Sequence, residues 1–395
     1  MNERQSKKEL DQLNERLVQE IKNFDTEPKE EFQGYHTKEE KEKEKETEDS
    51  KEKKSFAKVI LGILIGVILF VFLIAVVFII IGFIGKGSLF GKDINMKNAI
   101  DGADVQNNGD LVIYKGHKYR YNKDVTSILF MGIDRENINS DKKLLREKGA
   151  GQSDSIFLAA LDTSSKKISL INIPRDIMAD IKLYDSKGNY DKTAEAQICL
   201  AYAYGDGKET SCENTADAVS KLLYGIPIDS YMSINLSAIS VLNDAIGGVN
   251  VQVLGDLSDA DPALKEGVNI TLLGDQAETY VRTRELEPLD ANMERMRRQQ
   301  QYITAFAKKA LQEVKGDMML PVDLLQLVSK NAVTDLSITK LTYLTTVLSR
   351  SSFSADDIQS IDCKIKEGKD GYAEYYPKET KLFEMVLQVF YEQVD

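Results

Sequence analysis

Histidine is almost missing from this chain: His36 and His117 are the only two in 395 residues. That leaves no Ser-His-Asp triad with an obvious set of partners and no histidine-rich zinc site. Cysteine is scarce as well. Cys199, Cys212 and Cys363 show no CxxC spacing, which argues against zinc ribbons and thioredoxin-like redox motifs. Positive charge is in deficit, with Lys and Arg numbering 51 against 63 Asp and Glu, a net charge of −12. Phosphate contacts dominate nucleic-acid affinity, so no nucleic-acid partner is expected.

What is present falls into zones. Residues 1–57 form a charged tail. Within it Leu10, Leu13, Leu17, Ile21 and Phe24 recur at helical spacing and predict a short amphipathic helix. The run EEKEKEKETEDSKEKK then has too little apolar surface to offset ordering entropy, so a disordered linker is expected. Val59 to Ile84 is 26 residues without a charge. As a helix it would rise about 39 Å, more than the roughly 30 Å hydrocarbon core, so one transmembrane helix is expected over 58–84. Lys51, Lys53, Lys54 and Lys58 precede it, and only Lys86 and Lys92 follow closely. That bias puts the N-terminus in the cytoplasm and the rest outside, at a cell membrane. Outside, disulfides become permissible. Cys199 can pair with Cys212, with Cys363 left over or pairing with either.

Residues 85–124 read as a linker and a β-hairpin, GDLVIYKGHKYRYN, turning at Lys115-Gly116. His117 beside the turn reads as an exposed structural residue. VTSILFMGID, SDSIFLAALD and KKISLINIPRD have the length and β-branched content of buried strands. A charged insertion, Glu136 to Gln152, separates the first two. Helices are expected over Thr193–Tyr204, Glu213–Tyr224, Ser237–Ile246, LLGDQAETYVRTR, Asn292–Val314, Pro321–Lys330, Ile338–Leu348 and Lys378–Gln393, with IDSYMSINL and VNVQV as strands. This alternation predicts one α/β domain, an α/β/α layering with a central mixed sheet. Its main body spans 125–314, and 315–395 is expected to be a helical extension.

Three charged groups fall at strand ends: Asp134, Asp154 and Arg175. If the first two strands are antiparallel neighbours, the aspartates meet at one edge. Two carboxylates without histidine or thiolate suit Mg²⁺ held partly by phosphate and water; the plain alternative is that each caps a turn. Thr279 to Tyr302 carries Arg282, Arg284, Arg295, Arg297 and Arg298. On a helix, steps of three and four align Arg295, Arg298, Gln299 and Tyr302, while Arg297 points elsewhere. Such a face is either solvated and salt-bridged or a phosphate clamp, since the guanidinium fork suits phosphate. The apolar stretches ICLAYAY and LLYGIPIDSYMSINLSAISVLNDAIGG read as core or as the lining of a lipid groove.

The ordered motifs ILFMGIDR, QSDSIFLAALD, ISLINIPRDI, AYAYGDG, LYGIPIDSYMSINL, DAIGGVNV, LLGDQAETYVRTR and NMERMRRQQQYI resemble the LytR–CpsA–Psr family over roughly Val125 to Ala310. The resemblance implies a membrane-anchored phosphotransferase of Gram-positive envelopes. Such enzymes move a glycopolymer, wall teichoic acid or capsule, from undecaprenyl pyrophosphate to peptidoglycan. It also implies Mg²⁺ and a deep apolar pocket in an α/β/α fold. Carried over by residue, the metal aspartates fall on Asp134 and Asp154. The pyrophosphate-binding residues fall on Arg175, Arg282, Arg284, Arg295 and Gln299, with Arg298 matching the arginine before the glutamine. Many members place an aspartate where this chain has Asn292; Asp290, two residues earlier, is the substitute. The gap from Asp134 to Asp154 is longer than usual and reads as a loop insertion. Two other readings compete: a transcriptional attenuator of envelope genes, and a polyprenyl-pyrophosphate phosphatase or binding protein.

Overall fold

A computed structural model describes residues 84–90, 92–97, 99–135, 151–185, 188–235, 237–283, 291–368 and 371–395. The expected amphipathic helix, the linker, the membrane span up to residue 83, residues 136–150 of the insertion, Arg284 and Asp290 lie outside these residues, as does the side chain of Asn292. Among the described residues no helix is long and apolar enough to cross a membrane.

The chain enters through β1 (Ala103–Gln106), β2 (Leu111–Tyr114) and β3 (His117–Tyr121). β2 and β3 form the expected hairpin, with Tyr114 opposite His117. Its turn residues Lys115 and Gly116 have φ of 53° and 86°, as a tight two-residue hairpin requires. Next come β4 (Val125–Ile133), β5 (Ser153–Asp162) and β6 (Ile168–Ile173), successive antiparallel neighbours. Alternate residues of β4 face opposite sides. Leu129, Met131 and Ile133 enter one core cluster, whereas Ile128 enters another. Burial on both faces explains why these strands read as nearly continuous apolar runs.

The next stretch departs from expectation. β7 (Met178–Tyr184) pairs antiparallel with β8 (Tyr190–Gln197), and only α1 (Leu200–Ala203) remains of the helix expected over Thr193–Tyr204. Ala194, Glu195 and Ala196 favour helix locally, but seven ladder pairs with β7 override that preference. α2 (Glu209–Leu222) leads to β9 (Ser230–Asn235), parallel to β4. α3 (Ala238–Ala245) stops at Gly247 and Gly248, whose φ values are 78° and 82°. The VNVQV strand is β10 (Val249–Gln252). It pairs with β11 (Asn269–Leu272) in a separate ribbon and stays out of the central sheet.

α4 (Asp275–Arg282), α5 (Ala291–Gly316) and α6 (Leu320–Val328) follow. The C-terminal part, expected to be helical, contains α7 (Ile338–Leu348) and α8 (Glu379–Phe390) but also β12 (Ala332–Thr334), β13 (Ile358–Ser360), β14 (Cys363–Glu367), β15 (Ala373–Pro377) and β16 (Tyr391–Gln393). These strands are not appended. β12 and β13 form the edges of the six-stranded sheet β12-β9-β4-β5-β6-β13, and β16 closes the hairpin sheet β1-β2-β3-β16. Phe383 of α8, fully buried, packs edge-on against Tyr114 and Tyr224 at 5.4 and 5.1 Å. Truncating such a phenylalanine costs about 3–5 kcal/mol, so the C-terminus is part of the core.

The central sheet is mixed, with helices on both faces. Val219 of α2 and Leu387 of α8 join the cluster beneath Leu129 and Met131. Val322 of α6 and Leu344 of α7 join the cluster of Ile128. Val249, Tyr280 and Tyr302 hold β10, α4 and α5 together.

Candidate active site

The site grows from an irregularity at the edge of β4 and β5. Gly132 lies opposite Ser155 and Ile133 opposite Ser153, so Asp154 is the extra residue of a β-bulge. A bulge breaks the ladder and re-aims a side chain. Beyond it the Asp134 N–H donates to the Gln152 carbonyl at 3.2 Å. The two aspartates thus end at the same edge of antiparallel neighbours, Asp134 exposed and Asp154 half-buried.

β6 delivers the third group. Pro174 cannot continue the ladder, and the Ile177 N–H donates to its carbonyl at 3.1 Å, closing a turn around Arg175. The Arg175 guanidinium returns to β5. Nη1 donates to Asp154 Oδ1, Nη2 to Gln152 Oε1 at 2.6 Å, and Nε lies 3.4 Å from Asp176 Oδ1. Nη2 also approaches Cys199 Sγ at 3.7 Å, and the Cys199 N–H donates to the Arg175 carbonyl at 3.1 Å. Burial opposes the Arg175 charge, but Asp154, Cys199 and Asp176 outweigh it and raise its pKa. Burial also raises the Asp176 pKa, with Arg175 and then Arg295 pulling it partway back.

The arginine-rich stretch is divided by what covers it. Arg298 is completely buried. Its Nε donates to the Tyr280 carbonyl at 3.1 Å and Nη2 to the Thr283 carbonyl. These acceptors lie at the end of α4, where carbonyls lack helical partners and a cation complements the dipole. Arg298, expected as a ligand, is therefore a clamp on the segment that carries Arg282. Arg282 is exposed and paired with Glu278 at 2.6 Å. Arg297 is exposed and paired with Glu294 at 2.6 Å. Arg295 is 8% exposed, and its charge helps lower the Asp176 pKa. Gln299 ties the elements together: Oε1 accepts from Ser155 Oγ at 3.3 Å and Nε2 donates to the Val281 carbonyl at 3.2 Å. Tyr302 turns into the core, its hydroxyl donating to Asn243 Oδ1 at 3.2 Å.

Among the described residues no group of three or more His, Cys, Asp or Glu side chains is placed to enclose a metal. Asp134 and Asp154 are a two-carboxylate set of hard oxygens. That set fits Mg²⁺ taking its other ligands from phosphate and water, and it does not fit an all-protein cage.

Sequence reading missed four neighbours. Gln152, Asp176 and Cys199 all touch Arg175. Arg135 follows Asp134, and its buried Nη1 has no hydrogen-bond partner. Of these Arg135 and Asp176, each adjacent to a residue already singled out, carried a signal in the sequence. The Cys199–Cys212 disulfide that the sequence allows is not formed, and all three cysteines are free. Cys199 faces Arg175, whereas the Cys212 thiol donates to Ser233 Oγ at 3.4 Å. Cys199, Ala201 and Tyr202 of ICLAYAY are core residues.

The chain is similar to known proteins. The sequence profile of the LytR_cpsA_psr family matches residues 87–389, including the hairpin and most of the C-terminal part. TagU of Halalkalibacterium halodurans, named a polyisoprenyl-teichoic acid–peptidoglycan teichoic acid transferase, is 32% identical over 191 residues, 48% of this chain and 55% of that protein. Biofilm regulatory protein A of Streptococcus mutans is 30% identical over 223 residues, 55% of this chain and 51% of that one. The chain thus spans about half the length of these curated relatives. The crystal structure of protein gbs0355 from Streptococcus agalactiae shares the fold, with a TM-score of 0.53 at 24% identity over 67% of this chain and 86% of that one. A family profile that takes in the central sheet, the bulged edge and the arginine helix together means that the chain belongs to the LytR_cpsA_psr family.

Proposed function

We propose that this chain is a phosphotransferase that moves a glycopolymer, of the wall teichoic acid or capsule kind, from a polyprenyl-pyrophosphate carrier to peptidoglycan. The observation that carries this reading is the cluster at the bulge. Arg175 sits on Asp154, the charge of Arg295 reaches Asp176, and Gln299 bridges α5 to the next residue of β5. Arg175, Arg282, Arg284 and Arg295 would bind the diphosphate, and the buried unpartnered Nη1 of Arg135 is a further donor for it. Asp134 and Asp154 would hold Mg²⁺, which when bound neutralises charge on the diphosphate.

The lipid has a place below. Phe130, in the middle of central strand β4, is 37% exposed although its neighbours Leu129 and Met131 are buried. It lies opposite Phe157 on β5 and Met232 on β9, on the face that also carries Gly132 and Ser155. An exposed phenylalanine four residues from Asp134, roughly 13 Å along the strand, would meet the first isoprene units. In the reaction an acceptor hydroxyl oxygen bonds to the phosphorus that carries the sugar. The bond from that phosphorus to the bridging oxygen breaks, and polyprenyl phosphate leaves with the electron pair. The arginines stabilise the charge that develops. Asp290 is proposed to take the hydroxyl proton. The span 58–84 would anchor the enzyme with its N-terminus in the cytoplasm and its catalytic domain outside the cell membrane.

The test is to incubate the purified full chain with lipid-linked polymer, with and without peptidoglycan. Polymer attached to peptidoglycan is expected, and Arg295→Ala should fold normally and lose the transfer. Release without attachment would mean hydrolysis, and wild-type transfer by Arg295→Ala would sink the site assignment.

A further inference from the structure

The guanidinium of Arg175 is held by unlike partners. Asp154 takes Nη1 and Asp176 lies against Nε, both carboxylates. Nη2 alone meets neutral atoms, Gln152 Oε1 at 2.6 Å and Cys199 Sγ at 3.7 Å. The Cys199 thiol in turn approaches Gln152 Oε1 at 3.9 Å, so amide, thiol and guanidinium form one triangle. Gln152 is also fixed through its backbone, since its carbonyl accepts the Asp134 N–H at 3.2 Å. One residue therefore touches both the strand end that carries Asp134 and the arginine that meets Asp154.

We propose that Gln152 is a positioning residue that aims Arg175 at a diphosphate without spending its charge. The inference rests on the reading of Arg175 as a phosphate ligand. An arginine between two carboxylates is already partly neutralised. A third carboxylate at Nη2 would leave it nothing to offer an anion. An amide oxygen accepts the same hydrogen bond and adds no charge, so the fork stays oriented while its positive field remains available. Asp154 has competing claims on it, from Arg175 and from the cation site it shares with Asp134. Gln152 carries no charge for a cation to claim, and it keeps the Nη2 arm in register whichever partner Asp154 takes. Cys199 supports the arrangement from behind. Its buried thiol, with a pKa raised to about 11 by burial, stays neutral.

The experiment is calorimetric titration of the full chain in detergent with farnesyl diphosphate, on wild type, Gln152→Ala, Gln152→Glu, Arg175→Ala and the double variant Gln152→Ala/Arg175→Ala. Gln152→Ala should weaken binding about tenfold, the scale of a coupled hydrogen-bond network. Gln152→Glu, isosteric but charged, should weaken it further, which a packing role would not produce. In the Arg175→Ala background, Gln152→Ala should have no further effect. If Arg175→Ala weakens binding while the Gln152 variants bind like wild type, or if their losses simply add, the positioning role is refuted. If Arg175→Ala itself binds like wild type, the diphosphate reading of the site fails first, and this inference with it.

Discussion

Arg298 and Arg295 share one helix face, yet substitutions there should act on different properties. Arg298 is fully buried, and its guanidinium donates to the Tyr280 and Thr283 carbonyls. Arg298→Met keeps most of the apolar stem and removes every donor. Each buried carbonyl left unsatisfied costs about 1–3 kcal/mol. The substitution also removes a buried charge and its desolvation cost, so the net loss should be about 2–4 kcal/mol. A domain of this size shifts by about 2 °C or slightly more per kcal/mol, so melting should fall by roughly 4–10 °C. Arg297, exposed and paired only with Glu294 one turn earlier, is the control. Arg297→Ala should change stability by about 0.5 kcal/mol at most.

The assay is thermal and denaturant unfolding by circular dichroism, with diphosphate binding measured on the same samples below the transition. Arg298→Met should melt early and still bind at low temperature, with affinity reduced only as far as the loosened end of α4 displaces Arg282. Arg295→Ala should show the reverse, normal melting and lost transfer. An Arg298→Met protein that melts within about 1 °C of wild type but no longer binds would refute the clamp and make Arg298 a ligand.

Asp229 offers a pH test. Burial raises its pKa to about 6, against hydrogen bonds from Ser127 and Thr126 and the charge of Lys92. The folded state then holds its proton more tightly than the unfolded chain, so this group's contribution is most favourable below about pH 4, declines as pH rises toward 6 and is flat above. Asp229→Asn should remove that decline from stability curves recorded between pH 4 and 7; an unchanged slope would show that Asp229 is not its source. Gln299→Ala breaks the link from Ser155 to the Val281 carbonyl and should weaken diphosphate binding by about an order of magnitude with a stability loss near 1 kcal/mol, both read by calorimetry. Phe130→Lys should weaken long-chain polyprenyl diphosphate about tenfold or more and leave inorganic pyrophosphate unaffected; equal losses for both would remove Phe130 from the binding site. Cys199 and Cys212, with pKa values raised to about 11 and 12 by burial, should react slowly with a thiol reagent until the chain unfolds, when all three cysteines titrate. A native disulfide would leave one.

The legible parts of the fold were those fixed by local pattern. β4, β5 and β6 are apolar because both faces of the sheet are covered, and α7 begins and ends where its pattern does. The misread parts depend on distant partners. Nothing within Thr193–Gln197 announces a strand; Met178–Tyr184 supplies the ladder. β12, β13 and β16 are three residues each, too short to carry a period, and exist because β9, β6 and β3 present unpaired edges.

The site divides the same way. Asp134, Asp154 and Arg175 were visible as charges at strand ends, and helical phase put Arg297 on another side of α5 from Arg295 and Arg298. Phase could not separate Arg295 from Arg298, because what sets Arg298 apart is the end of α4, a distant partner whose carbonyls take its guanidinium. Gln152 was invisible for a related reason. A glutamine before a strand has no chemistry of its own, and its role appears only once Asp154 is displaced by the bulge and Arg175 folds back. The charged groups of such a site can be read as charges at strand ends and along one helix face. The residues that aim them are set by a one-residue slip between two strands, and a slip leaves no mark on composition.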